Sequence, residues 1–131
     1  MKIKLRLGTI LLIFWTVLIA GKGDLLLESI ESYLSKYRQE ISDEDVTIQG
    51  GIIRLKLDGR RTNLKSQLLL GFFSVGRAIQ KNSYPFREVQ IIIYCEIKES
   101  QQLVVTASID KVLELTQGRL GSEQFFNEIG Y

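Results

Sequence analysis

The chain has 131 residues, 45% of them hydrophobic and 24% charged, with 11 Gly and 1 Pro, the composition of an ordered globular protein of one small domain and not of a disordered segment. It contains no His and a single Cys, which excludes imidazole-based triads, Cys–His pairs, typical zinc sites and an internal disulfide. The net charge of +2 is unevenly spread: Lys2, Lys4, Arg6 and Lys22 precede every acidic residue, so residues 24–131 carry thirteen basic against fifteen acidic residues, a balance of −2 that gives no field to gather nucleic acid.

Leu7 to Ala20 form an uninterrupted low-charge run of 14 residues between Arg6 and Lys22, which reads as the apolar centre of a targeting segment. As a helix it spans roughly 21 Å, short of the roughly 30 Å hydrocarbon core, although Leu5 and snorkelling basic residues extend it. Residues 1–23 are therefore expected to be a signal-anchor or a signal peptide. The sites after Ala20 and Gly21 place Leu18 and Ile19 where a cleavage enzyme needs a small residue, which favours the uncleaved, single-pass anchor. Three basic residues before the run put the amino terminus inside and residues 24–131 outside the cytoplasm. If the leader is cleaved, the domain is secreted or periplasmic.

Asp24 suits a helix N-cap, and Leu26, Leu27, Ile30, Leu34, Tyr37 and Ile41 recur at three- and four-residue steps, which predicts an amphipathic helix to about residue 42. Val46 to Leu57 reads as a hairpin turning at Gly50-Gly51. That turn pairs Gln49 with Ile52, Ile48 with Ile53 and Val46 with Leu55, with Thr47 opposite Arg54 and Asp45 opposite Lys56 on the outer face. Thr62 or Asn63 caps a second helix to about Asn82. Leu64, Leu68, Phe72, Val75 and Ile79 make one stripe of it, and Leu69, Leu70 and Phe73 widen the apolar surface enough to require a central position or a covering partner.

After Tyr84-Pro85, Val89, Ile91, Ile93, Cys95 and Ile97 alternate along a strand, with Cys95 expected as a buried thiol. A second hairpin is predicted to pair Ile97 with Leu103 and Cys95 with Val105, its outer face carrying Ile92, Tyr94 and Val104. A short helix from Asp110 to Gln117 and a last turn capped by Ser122 complete the chain. The expected class is α+β: a two-layer domain over 24–131, order α-ββ-α-ββ-α, with helices on a four-stranded antiparallel sheet. Leu25, Leu26, Leu27, Val46 and Ile48 recur 43 positions on as Leu68, Leu69, Leu70, Val89 and Ile91, the pattern of a possible helix–hairpin duplication.

Candidate chemistry is sparse. Asp43, Glu44 and Asp45 lack the alternating ligands of a calcium loop, Gly50-Gly51 precedes a strand and not a helix, and neither a metal, a cofactor nor a catalytic residue is implied. Arg54, Lys56, Arg60, Arg61 and Lys65 make the one basic constellation, a candidate contact for an anion or an acidic partner. Leu69, Leu70, Phe73, Tyr94 and Phe126 are the candidate apolar interface. The resulting expectation is a non-enzymatic interaction or assembly module, tethered through residues 7–20 and binding another protein or itself. An exported small-ligand carrier with Phe72, Phe73 and Tyr94 around a pocket, or docking to anionic lipid through the basic loop, is the alternative.

Overall fold

Four helices and four strands account for most of residues 25–59, 63–82, 85–96 and 100–131, which are the residues described by the computed structural model. For Cys95, Glu96, Ser100 and Gln101 the backbone alone is described, so the expected burial of the Cys95 thiol falls outside the described part. The leader, residues 1–23, likewise lies outside the described residues, among which no helix is long and apolar enough to cross a membrane.

The first helix, α1, covers residues 25–35 and buries Leu26, Ile30 and Leu34 completely. It stops seven residues earlier than the periodicity predicts. Arg38 takes a left-handed φ of 61°, Arg38 N–H donates to the Ser35 carbonyl at 3.1 Å and Gln39 N–H to the Leu34 carbonyl at 3.0 Å, which closes the helix as a Schellman cap. Tyr37, expected on the buried face, is instead 53% exposed, whereas Ile41 packs on the core from beyond the turn.

Asp43–Asp45 form a single 3-10 turn in which Ser42 N–H donates to Asp45 Oδ2 at 2.9 Å. The expected Asp45–Lys56 pair is absent, because that carboxylate faces back along its own turn. Strands β1 (Val46–Gln49) and β2 (Ile52–Asp58) follow in the predicted register, Val46 opposite Leu55 through Gln49 opposite Ile52. Gly50 and Gly51 have φ of 60° and 79°, the two positive values that a primed turn requires.

Helix α2 (Leu64–Asn82) starts on an Asn63 cap, the Ser66 N–H donating to Asn63 Oδ1 at 3.1 Å. The central position allowed by its wide apolar surface is the one it takes. Gly71 lies against Ile91 of the sheet, Gly76 against Val112 and Thr116 of a later helix, and Asn82 reaches Ser29 of α1 at 3.4 Å. Its 19 residues span roughly 28 Å, enough to carry the chain back along the whole of β2. Strand β3 (Glu88–Glu96) therefore begins level with the start of β2, and the two pair in parallel, Ile52 opposite Glu88 through Asp58 opposite Tyr94. This corrects the expected all-antiparallel sheet: the sheet is mixed, in the order β1-β2-β3-β4, with antiparallel outer pairs around a parallel centre.

Strand β4 (Ser100–Ser108) pairs with β3 so that Ile93 faces Leu103 and Ile91 faces Val105. The predicted partners, Ile97 with Leu103 and Cys95 with Val105, are displaced by four positions and the connection is 97–99 instead of 99–101. Four is even, so every side chain keeps its predicted face. Helix α3 (Ile109–Thr116) is capped by Ser108, and α4 (Ser122–Glu128) by Gly121, one residue before the expected Ser122.

Ile53, Leu55, Leu57, Val89, Ile91, Ile93, Val105 and Ala107 point from the sheet into one core with the apolar sides of all four helices, where Phe72 meets Phe125 edge-on at 5.0 Å. Among the described residues no helix covers the opposite face of the sheet. The element order does repeat helix–hairpin, but Leu25 is 56% exposed where Leu68 is fully buried, so the correspondence at 43 positions does not extend to packing.

Candidate functional site

The open face is built by strand alternation: once Ile53, Leu55, Val89 and Ile91 turn inwards, their neighbours must turn out. Register then arranges the outward residues in rows. Thr47, Arg54, Gln90 and Thr106 form one, and Lys56, Ile92 and Val104 the next, with Tyr94 and Gln102 beyond. The first row is linked by hydrogen bonds, Arg54 Nε donating to Gln90 Oε1 at 2.9 Å and Gln90 Nε2 to Thr106 Oγ1 at 3.1 Å. In the second, the Lys56 ammonium lies 4.5 Å from the centre of the Tyr94 ring, a cation–π contact. Val104, 48% exposed, completes a small apolar strip across the two strands.

The five basic residues singled out from sequence do not share one surface. Arg54 and Lys56 lie on the open sheet face, whereas Lys65 lies on the helical side, its ammonium 5.5 Å from the Phe126 ring and 5.9 Å from that of Tyr131. Arg60 and Arg61 lie outside the described residues. The apolar candidates are likewise divided. Leu69, Leu70 and Phe73 are half-buried against the core, Phe126 is buried, and Tyr94 is on the opposite face of the sheet. Phe72 is fully enclosed, so Phe72, Phe73 and Tyr94 cannot line one pocket.

A different cationic site arises where α1 and α2 pack. Lys36, Arg77 and Lys81 border an open groove of about 400 Å³ whose walls also present Ser29, Ser32 and Tyr33. Arg77 lies 5.8 Å from the Tyr33 ring, and none of the three cations has a carboxylate partner within ion-pair distance among the described residues. Burial holds the Tyr33 phenol above its ordinary pKa of 10.0, a hydrogen bond with Tyr37 and the Tyr37 charge add to the effect, and Arg77 opposes it. Sequence reasoning missed this groove because Lys36 and Arg77 stand far apart in the chain and each alone is an ordinary exposed residue, one in the turn after α1 and the other on α2.

Among the described residues no group of three or more Cys, Asp or Glu is placed to hold a metal ion. Comparison with protein-family models, curated proteins and solved structures finds no match. The functional reading is therefore an argument from the surfaces themselves.

Proposed function

We propose that this chain is a non-enzymatic interaction module, tethered to a membrane by its leader, whose domain over residues 24–131 binds a protein partner outside the cytoplasm. The observation that carries the reading is the open sheet face, on which Ile92 and Val104 lie side by side and Tyr94 is held by Lys56. An apolar centre with an aromatic and a cation at its margin is the composition of a protein-binding patch. The missing imidazole and the leader sequence support the same reading.

The test is a photo-crosslinking residue at Ile92 of the full chain, activated in native membranes, with the adduct identified by mass spectrometry. A defined protein adduct at Ile92, absent from a control at the exposed Gln124, is the expected result. Equal labelling at both positions, or none at either, would remove the proposal. The mass of the mature amino terminus decides between a tether and a cleaved leader.

A second reading, docking to anionic lipid headgroups, is favoured by the Lys36–Arg77–Lys81 groove. Co-flotation with phosphatidylglycerol vesicles that is lost in Lys36→Ala/Lys81→Ala at low salt would support it. Flotation unchanged by the double substitution would dismiss it.

A further inference from the structure

The two edges of the sheet are differently protected. At the β1 edge the strand is four residues long and is preceded by the carboxylates of Asp43, Glu44 and Asp45. At the other edge β4 offers nine residues, SQQLVVTAS, with no charge, no Pro and no bulge in its register with β3. Short length, charge, Pro and bulges are the devices that keep a strand edge from pairing, and β4 has none of them.

Which backbone groups are free follows from the hydrogen-bond alternation. Ile109 N–H donates to the Arg87 carbonyl at 2.8 Å, so odd-numbered residues of β4 turn their amides and carbonyls towards β3. Gln102, Val104 and Thr106 turn theirs outwards, and among the described residues no loop or cap bonds to them.

We propose that β4 pairs with β4 of a second copy, antiparallel about a two-fold axis through Val104, and so joins two domains into one eight-stranded sheet. The proposal rests on the interaction-module reading and names its partner as the chain itself. About Val104 the strand is roughly symmetric in polarity, apolar at its centre and polar at both ends. In that register Ser100 faces Ser108, Gln101 faces Ala107, Gln102 faces Thr106 and Leu103 faces Val105. A two-fold sets each residue against its mirror position, and an edge without charge meets its own image with no like-charge pair.

The half-exposed Val104 covers its counterpart, and Ile92, directly across from Val104 within each copy, extends the contact into an apolar band across the joined sheet. An axis perpendicular to the sheet leaves the helices of both copies on the same side. Both α1 helices then lie on the same side of the joined sheet.

The decisive experiment is disulfide trapping in native membranes with the full chain carrying Cys95→Ser. In the proposed register the Val104 pair exchanges hydrogen bonds, with Cα atoms about 5.5 Å apart, inside the roughly 4.4–6.8 Å that a disulfide spans. Val104→Cys is expected to give a covalent dimer under mild oxidation. Gln102→Cys and Thr106→Cys should link when co-expressed and not when expressed alone, and Thr47→Cys on the other edge should not link.

Val104→Pro removes an outward amide without touching the ladder to β3, and Val104→Lys sets two ammonium groups face to face. Either should abolish the chemically crosslinked dimer of the otherwise native chain. Absence of the Val104→Cys dimer from a folded chain overturns self-pairing, and so does equal trapping at Thr47. If Ile92 then captures a different protein, the interaction-module reading survives while this inference does not.

Discussion

The amide of Gln39 donates to the carbonyl of Leu34 at 3.0 Å, and this bond ends α1 with Arg38 in the left-handed region at φ 61°. The same cap closes α3 through Gly118 and α4 through Gly130, where glycine bears no steric penalty. A non-glycine residue in that conformation costs roughly 1–2 kcal/mol. Arg38→Gly is therefore expected to stabilise the full chain by about 1 kcal/mol, part of the relief being offset by greater freedom in the unfolded chain. Chemical denaturation measures it, and a lower midpoint for the variant would show that the Arg38 side chain has a role of its own.

Gly76 packs closely against Val112 and Thr116 of α3. A methyl group built there overlaps Thr116 Oγ1, which is itself committed to the Val112 carbonyl at 2.7 Å, and lies 3.1 Å from Val112 Cγ1. Alanine gains about 1 kcal/mol in helix propensity, but overpacking a well-filled contact typically costs 1–3 kcal/mol. We expect Gly76→Ala to be destabilising on balance. Adding Thr116→Ala should recover much of the loss, and strictly additive effects in that double-mutant cycle would contradict the contact.

The groove between α1 and α2 can be followed through its phenol. The folded-state pKa of Tyr33 is raised, chiefly by burial, so the neutral phenol is the form that the fold favours. Its contribution to stability is present below pH 10, the unfolded value, and is lost as pH rises through the raised folded value. Because Arg77 pulls that value down, Arg77→Ala is expected to raise it further. Phenolate absorbance, with Tyr33→Phe as reference, should show the late-titrating component move to higher pH; movement to lower pH would reverse the assigned role of Arg77.

Lys111 joins the last two helices: its ammonium lies 3.1 Å from Glu128 on α4 and 3.8 Å from Glu114 on its own helix. The hydrogen bond to Glu128 is the main cause that raises its pKa. The contribution is present below the ordinary value and lost as pH rises through the raised one. Glu128→Gln should lower the melting temperature slightly in dilute buffer, and the difference should fade in about 1 M salt, where the Debye length falls to about 3 Å. A difference insensitive to salt would assign the effect to packing.

The register of the first hairpin was legible because turn chemistry, alternation and length all demand it, although the Asp45–Lys56 pair expected at its end does not form. In the second, alternation specified the face but not the offset, since 97–99 and 99–101 both provide three-residue connections between long strands. Extending hairpin reasoning across α2 produced the wrong central pairing. The direction of β3 is decided by a helix long enough to return the chain, which strand patterning does not report.

The early end of α1 was hidden for a similar reason: Arg38 occupies a position at which glycine is the usual signal. Of the candidate site residues, Arg54 and Lys56 were correctly assigned to the outer face, because strand parity determines it. Lys65 was assigned to the same neighbourhood by closeness in sequence, yet helix phase carries it to Phe126.

The parallel centre of the sheet also orders the route by which the chain assembles. Each pair of residues across β2 and β3 is separated by 36 positions, as 88 is from 52, whereas the innermost pairs of the two hairpins are 3 and 4 positions apart. Loop-closure entropy makes the hairpins and α2 the early events and the joining of β2 to β3 the late one. Until that seam closes, β2 and β3 each expose an unpaired edge in addition to the bare edge of β4. The interval in which the chain is most open to pairing with a neighbour is therefore during its own folding, and slowing the closure of the seam should raise the yield of misjoined species before it alters the stability of the finished domain.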